Sequence, residues 1–134
     1  MPEPAKVVAR YLDGRVLKGR TMNFDPQRPS FLLRTLDAPP DAEPTHVRLR
    51  DLKAVFFVKD FVGTPDYSER KEFNMLATGR RLSVRFVDGE VLVGASVTYD
   101  AARDGFFLFP ADRFSNNEKV FVVAAAVSEV TRFR

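Results

Sequence analysis

Few residues of this chain are of the types that carry out acid–base, nucleophilic or metal chemistry. His46 is the only histidine, and the 134 residues include no cysteine, so a metal centre or a thiol nucleophile would lack its usual ligands and partners. Asp13 and Asp88 each precede a glycine, and turn geometry explains both. The sequence has no paired carboxylates, nucleophile motif or phosphate-binding glycine loop. We therefore expect no catalysis, no metal and no cofactor.

The chain instead repeats one pattern after a fixed shift of 75 residues. Residues 10–19 (RYLDGRVLKG) recur as residues 85–94 (RFVDGEVLVG), and the match continues without a gap to Val55 and Val130. A repeat of this kind indicates architecture rather than activity.

Each copy predicts five short strands that would position its side chains. An Asp-Gly hairpin joins the first two strands, and a glycine inside the second strand, Gly19 or Gly94, is typical of a sharp bend. The predicted strands are residues 7–12, 15–24, 30–35, 45–50 and 53–58 in the first copy, and residues 82–87, 90–99, 106–110, 119–125 and 128–133 in the second. The sequence therefore predicts an all-β fold.

The two copies divide the chain into a first domain at residues 1–58, a linker at residues 59–79 and a second domain at residues 80–134. Residues 65–77 of the linker carry acidic side chains early and precede a glycine, which predicts a short helix. The alternative is an ordered linker without a helix. The absence of cysteine fits a reducing cytoplasm, the first residues lack a signal-peptide pattern, and no apolar stretch approaches the ~20 residues of a membrane span.

Two stretches of the first copy resemble the Sm motifs. DGRVLKG at residues 13–19, followed by NFD at residues 23–25, is similar to the first motif, and VRLRDLKAV at residues 47–55 is similar to the second. The whole chain resembles a bacterial family with tandem Sm-like repeats, through GFFLFPAD at residues 105–112 and SNN at residues 115–117. The resemblance implies two tandem five-stranded Sm/SH3-like barrels joined by the linker.

Sm-type barrels that bind RNA use the loop after the bent second strand, so the resemblance implies a loop site in each copy. Phe24 and Tyr99 would stack on bases, and Arg28 and Arg103 would meet phosphates. The asparagine expected near the end of this loop is absent from both copies. The alternative is that Phe24 and Tyr99 close the mouths of the barrels.

The second copy also resembles PilZ-type barrels, which bind cyclic dinucleotides. Arg81 and Arg85 have the spacing of the Arg-x-x-x-Arg stretch, and Asp100 begins a segment like the Asp-x-Ser-x-x-Gly motif, with Ala102 in place of serine. The resemblance implies that the two guanidinium groups bind phosphate and stack on guanine. The alternative is a structural role, since Arg85 has a repeat partner in Arg10.

The copies differ most on their second and fourth strands, which are charged in the first copy and apolar in the second. We expect these strands to be neighbours, so that the first copy exposes a basic patch. The alternative is that the charges only protect an edge from aggregation. The patch would consist of Lys18, Arg20, Arg48, Arg50 and Lys53, where the first four correspond to Val93, Ala95, Val123 and Ala125 of the second copy.

Residues 120–127 and 55–58 are apolar on both faces, so the strands at residues 119–125 and 53–58 need cover on two sides. Sm-type barrels associate by pairing the fourth strand of one with the fifth strand of the next, and the resemblance implies this pairing within one chain. The alternative is that each strand is only the core of its own barrel. The outer edges would not match in chemistry, so we expect a monomer or a dimer. The interface would consist of Val55, Phe57, Phe121 and Val123.

These features predict a non-enzymatic binding module, an adaptor or regulatory protein that recognises another protein. The first alternative is nucleic-acid (RNA) binding through the basic patch, in a chain of net charge +3. The second alternative is PilZ-like binding of a cyclic dinucleotide.

Overall fold

A computed structural model describes residues 3–62, 79–112 and 115–132. The helix expected at residues 65–77 lies outside these residues. The regular structure within them is β-strand apart from two short 3₁₀ turns, so the prediction of an all-β fold is confirmed. None of the helical turns described has the length and hydropathy that a membrane span requires.

Each repeat contributes five strands. The first forms β1 (Ala5–Tyr11), β2 (Val16–Thr21), β3 (Ser30–Thr35), β4 (Thr45–Arg48) and β5 (Leu52–Val58). The second forms β6 (Arg80–Phe86), β7 (Val91–Ser96), β8 (Gly105–Pro110), β9 (Asn117–Val123) and β10 (Val127–Arg132). The 3₁₀ turns Leu49–Asp51 and Ala124–Ala126 join the last two strands of each repeat. Most of these bounds differ by 75 residues, so the sequence repeat is also a structural repeat.

The ten strands form one antiparallel sheet in the order β10-β6-β7-β8-β9-β5-β1-β2-β3-β4. Within each repeat the order is fifth, first, second, third and fourth strand. The repeats meet where β5 pairs with β9, with Ala54 opposite Val122 and Phe56 opposite Val120. One sheet therefore runs through both repeats.

The Asp-Gly hairpin that opens each repeat has the same geometry in both. The Gly14 N–H donates to the Tyr11 carbonyl at 3.1 Å, and the Tyr11 N–H donates to the Arg15 carbonyl at 2.9 Å. Gly14 has a φ of 95° and Gly89 a φ of 94°, as in a three-residue loop that ends in a glycine bulge. Glycine is required at this last loop position because other residues rarely adopt a positive φ.

The glycine inside each second strand permits a close approach of the third strand. A Cβ atom at Gly19 would collide with the carbonyl oxygen of Arg34, and one at Gly94 would collide with that of Phe109. Gly19 lies opposite Thr35 and Gly94 opposite Pro110 in the strand register. These glycines therefore allow the second strand to pair with the first and third strands at once.

The central strands carry a hydrophobic cluster on each face. One cluster is built mainly from the first repeat and takes Phe121 and Val123 from the second. The other is built mainly from the second repeat and takes Phe56 and Val58 from the first. All seven residues of β5 are buried, because the strand has a core on both sides. Each core therefore draws side chains from both repeats.

Candidate functional site

The predicted interface residues meet at the junction of the repeats. Val55 lies opposite Phe121 in the pairing of β5 with β9. Val55 and Phe121 share one buried cluster with Phe57 and Val123. The apolar character of these strands therefore serves the contact between repeats as well as the cores.

An aromatic cluster fills one side of this junction. The ring of Phe24 lies 5.2 Å from that of Phe57 and 5.5 Å from that of Phe121, and the rings of Phe107 and Phe121 are 5.2 Å apart. The Lys119 ammonium group lies 4.9 Å from the rings of both Phe57 and Phe107. These edge-to-face contacts stabilise packing between the repeats. Phe24 is thus part of the junction and does not stand free as a platform for a base.

The remaining residues of the expected loop sites have partners within their own repeats. Tyr99 packs on a neighbouring phenylalanine ring, with 4.8 Å between the ring centroids. The Arg28 Nε lies 3.6 Å from the carboxylate of Asp25, and the Arg103 Nε lies 3.9 Å from that of Asp100. The two arginines are exposed, so water screens these ion pairs and each pair stabilises its turn only weakly.

The expected basic patch is divided in two by the strand order. β3 lies between β2 and β4, so the expectation that the second and fourth strands are neighbours is wrong. Lys18 donates a hydrogen bond to the carbonyl of Phe61 at 3.4 Å, and the Arg20 guanidinium lies 5.4 Å from the Phe61 ring. Arg48 and Arg50 line a separate cavity, which does not include Lys18 or Arg20.

Lys53, the fifth residue of the expected patch, is buried and paired with carboxylates of the second repeat. Its side chain is only 10% exposed, and its Nζ donates to the Asp88 carboxylate at 2.7 Å and also contacts Glu90. The hydrogen bond from Lys53 is the main reason why the pKa of Asp88 is lowered. Lys53 belongs to the first repeat and both carboxylates to the second, so this ion pair joins the repeats. Including Lys53 in an exposed patch was therefore wrong.

The cavity that contains Arg48 and Arg50 has a volume of about 640 Å³ and lies between the repeats. We call it the inter-repeat groove. It is lined by residues 26–30 and 48–50 of the first repeat, and by Asp104, Phe121 and residues 123–125 of the second. Its volume is within the ~300–1,000 Å³ that is typical of ligand sites.

Two walls of the groove come from equivalent positions of the repeats. Each wall is the corner at which a fourth strand enters its 3₁₀ turn. The first repeat contributes two arginines there and the second contributes small apolar residues, so the groove is basic on one side and apolar on the other. The corresponding pairs are Arg48 and Val123, Leu49 and Ala124, and Arg50 and Ala125.

The charge of the groove is unbalanced. Arg28, Arg48 and Arg50 line it with Asp104 as the only carboxylate among the lining residues. Both Arg48 and Arg50 are exposed, and within the described part of the chain neither forms an ion pair with a carboxylate. Converging guanidinium groups of this kind attract anionic groups of a ligand.

The three residues of the expected cyclic dinucleotide site do not line one cavity. Arg81 and Arg85 are exposed on β6, and Arg85 lies opposite Glu129 in the pairing of β6 with β10. Asp100 lines a cavity beside Tyr99, and neither Arg81 nor Arg85 lines that cavity. Among the described residues there is also no group of three or more metal-ligating side chains.

Sequence reasoning missed two features of the junction. It did not place Arg28 in the same groove as Arg48 and Arg50, because that proximity follows from the pairing of β3 with β4, in which Ser30 lies opposite Arg48. It also missed Asn116, whose side-chain amide donates to the Asp60 carbonyl at 2.8 Å and accepts from the Asp60 N–H at 3.1 Å. The divergence between residues 48–50 and 123–125 was the one sequence signal that pointed to the groove.

Comparisons with known proteins place the whole chain in one family. No curated protein and no solved structure matches the chain. A family model matches residues 3–133, which include both repeats. The chain therefore belongs to DUF6982, a family of unknown function.

Proposed function

We propose that the chain is a pair of Sm/SH3-like barrels that acts as a non-enzymatic binding module, and that it recognises another protein through the inter-repeat groove. One observation carries the proposal. Two of the position pairs at which the repeats differ in charge, Arg48 with Val123 and Arg50 with Ala125, line the same groove. The first repeat thus contributes a basic side to the groove, and the second repeat contributes an apolar side.

The strand order supports the barrel part of the proposal. In each repeat the second strand pairs with the first along its length and with the third only near Gly19 or Gly94. A short 3₁₀ turn then separates the fourth and fifth strands. A bent second strand and a tight turn before the last strand are the features on which the resemblance to Sm-type barrels rests.

The proposal includes no reaction at the groove. The ionisable side chains that line it are Arg28, Arg48, Arg50 and Asp104. Arginine stays protonated in proteins and does not act as an acid or base near neutral pH. The three arginines are therefore suited to holding an anionic partner rather than to moving protons.

A second candidate function is nucleic-acid binding in the same groove. The observation that favours it is the convergence of Arg28, Arg48 and Arg50 on one cavity, because guanidinium groups also bind phosphates. The proposal favours a protein because no exposed aromatic ring lines the groove. Phe121 is its only aromatic lining residue and is 5% exposed, whereas single-stranded nucleic acids are held largely by stacking on exposed rings.

Photo-crosslinking in the native cells tests this proposal. A benzoylphenylalanine at Gln27 or Ala125, one exposed position on each side of the groove, should yield a protease-sensitive adduct. The matched control is Leu36, an exposed residue just beyond the end of β3 and outside the groove lining. A nuclease-sensitive adduct would support the second candidate instead. Equal adducts at Leu36 and at the groove positions, or none at all, would overturn binding through the groove.

A further inference from the structure

β4 has a free edge, and the strand ends at the groove. β4 pairs with β3 on one side, and in the described part of the chain no strand pairs with its other side. Its last residue, Arg48, is also a lining residue of the groove. An unpaired edge offers backbone N–H and C=O groups to an incoming extended segment. The four residues of β4 provide about 13 Å of such an edge at ~3.3 Å per residue.

From this geometry we propose that the groove and the β4 edge bind an extended acidic segment of a partner protein as an added strand. The inference rests on the proposed function and specifies the chemistry of the partner. Carboxylates of the segment pair with Arg48 and Arg50, and the backbone of the segment pairs with β4. Small apolar side chains of the segment pack against Ala124 and Ala125.

Charge complementarity is the first reason to assign this occupant. Within the described residues Arg48 and Arg50 lack a carboxylate partner. Arg28 lies 3.6 Å from the carboxylate of Asp25, but this ion pair is exposed to water and therefore weak. A segment rich in aspartate or glutamate would place its carboxylates beside Arg48 and Arg50, the two groove arginines without a carboxylate partner among the described residues. Charge-assisted pairs of this kind are stronger than neutral hydrogen bonds.

The second reason is the apolar side of the groove. Leu49 and Ala124 are half-buried and Ala125 is exposed, so an arriving apolar side chain would remove their surface from water. In an extended segment alternate side chains point to opposite faces. A segment that alternates acidic and apolar residues would therefore present one type to the arginines and the other to the alanines.

A second copy of this chain is a poorer occupant of the same edge. The free fifth strand that another copy offers is β10, which carries Ser128, Glu129, Thr131 and Arg132 and contains one acidic and one basic side chain. The corresponding strand β5, which pairs with β9 inside the chain, is buried along its whole length. The two valines of β10, Val127 and Val130, pack against the core of the second repeat, so β10 exposes neither an acidic excess nor the apolar surface that the groove requires.

Selection from an unbiased peptide library tests the inference. A displayed library of random twelve-residue peptides is selected against the full chain, and the affinities of the enriched peptides are measured by fluorescence anisotropy. We expect enrichment of aspartate and glutamate alternating with small apolar residues. The double variant Arg48→Glu/Arg50→Glu should weaken binding by about tenfold or more, because like charges then face each other.

The matched control is Lys18→Glu/Arg20→Glu, which makes the same charge change on the other half of the divided patch and should alter affinity by less than about threefold. Circular dichroism and the melting temperature establish that both variants remain folded. Enriched peptides without an acidic excess, equal effects of the two double variants, or failure to enrich any peptide would overturn the inference. A change in the oligomeric state of the ligand-free protein on Arg48→Glu/Arg50→Glu would also overturn it, because another copy of the chain would then occupy the edge in the parent protein. A crosslinked protein partner at Gln27 or Ala125 would in each of these cases leave the broader proposal standing.

Discussion

At the scale of single residues, Lys53 shows that a charged side chain predicted to be exposed can instead be buried and stabilise the fold. In the repeat alignment it follows Arg48 and Arg50, and nothing in its neighbours marks it as different. In the fold its strand is covered on both faces, and its ammonium group reaches two carboxylates of the other repeat. A buried cation is tolerated only with such partners.

Removal of this cation should weaken the whole fold. Lys53→Met keeps the length of the side chain but deletes both ion pairs, so we expect the free energy of unfolding to fall by about 1–3 kcal/mol. The lower part of this range is favoured because the carboxylates are half-exposed. Urea denaturation measures the change. The control Lys18→Met, at an exposed lysine, should stay within about 0.5 kcal/mol of the parent. Equal stability of Lys53→Met and the parent chain would contradict this role.

The same ion pair predicts sensitivity to acid. The pKa of Asp88 is lowered from its ordinary value of 3.8, mainly by the hydrogen bond from Lys53. Below pH 3.8 the unfolded chain therefore binds a proton at this site before the folded chain does, and stability is lost as the pH falls through the folded pKa. Urea titrations between pH 5 and pH 2 should show this loss, with a shallower slope for Asp88→Asn or Lys53→Met. Identical slopes in all three proteins would rule out this linkage.

At the scale of secondary-structure elements, the ten strands could be predicted because each carries a local signal. The Asp-Gly hairpins, the mid-strand glycines and the 75-residue shift are readable from neighbouring residues, and all ten strands are present within a few residues of their expected bounds. The order of the strands in the sheet has no such local signal. That β3 separates Lys18 from Arg48 follows from pairing across the sheet, which no local pattern records.

The pairing of β5 with β9 should make the two repeats unfold together. Phe121 is 5% exposed and lies in the cluster that is otherwise built mainly from the first repeat, so Phe121→Ala should cost about 3–5 kcal/mol. Hydrogen exchange should then show lost protection in β1 as well as in β6. Phe109→Ala, at a ring that is 46% exposed, is the matched control and should cost less than about 1 kcal/mol. Loss of protection confined to β6–β10 would contradict shared stability.

At the scale of the whole molecule, duplication has produced one continuous sheet with two reciprocal cores. Each repeat supplies side chains to the core of the other, and the divergence of the copies follows from this division of roles. The second copy has an apolar fourth strand because that strand is covered by β5. The first copy keeps its fourth strand charged because the strand remains at an edge of the sheet.

The candidate site could be predicted only in part, because it is formed by residues that meet only in the tertiary fold. The contrast between Arg48 or Arg50 and their counterparts Val123 or Ala125 is visible in the alignment of the copies. That these contrasting positions face one another across a single groove depends on the tertiary fold. A single sequence shows which residues differ between repeats, but not which of them meet.

Crosslinking from Ala125 in native cells, with and without charge reversal on the opposite side of the groove, tests whether the two repeats form one groove for a protein partner. Benzoylphenylalanine at Ala125 should capture a protein partner, and the additional change Arg48→Glu/Arg50→Glu should abolish that adduct because the new carboxylates would repel the proposed acidic segment. The additional change Lys18→Glu/Arg20→Glu should leave the adduct in place. An adduct that survives reversal of Arg48 and Arg50 would contradict the claim that the two repeats form one charged groove for a protein partner.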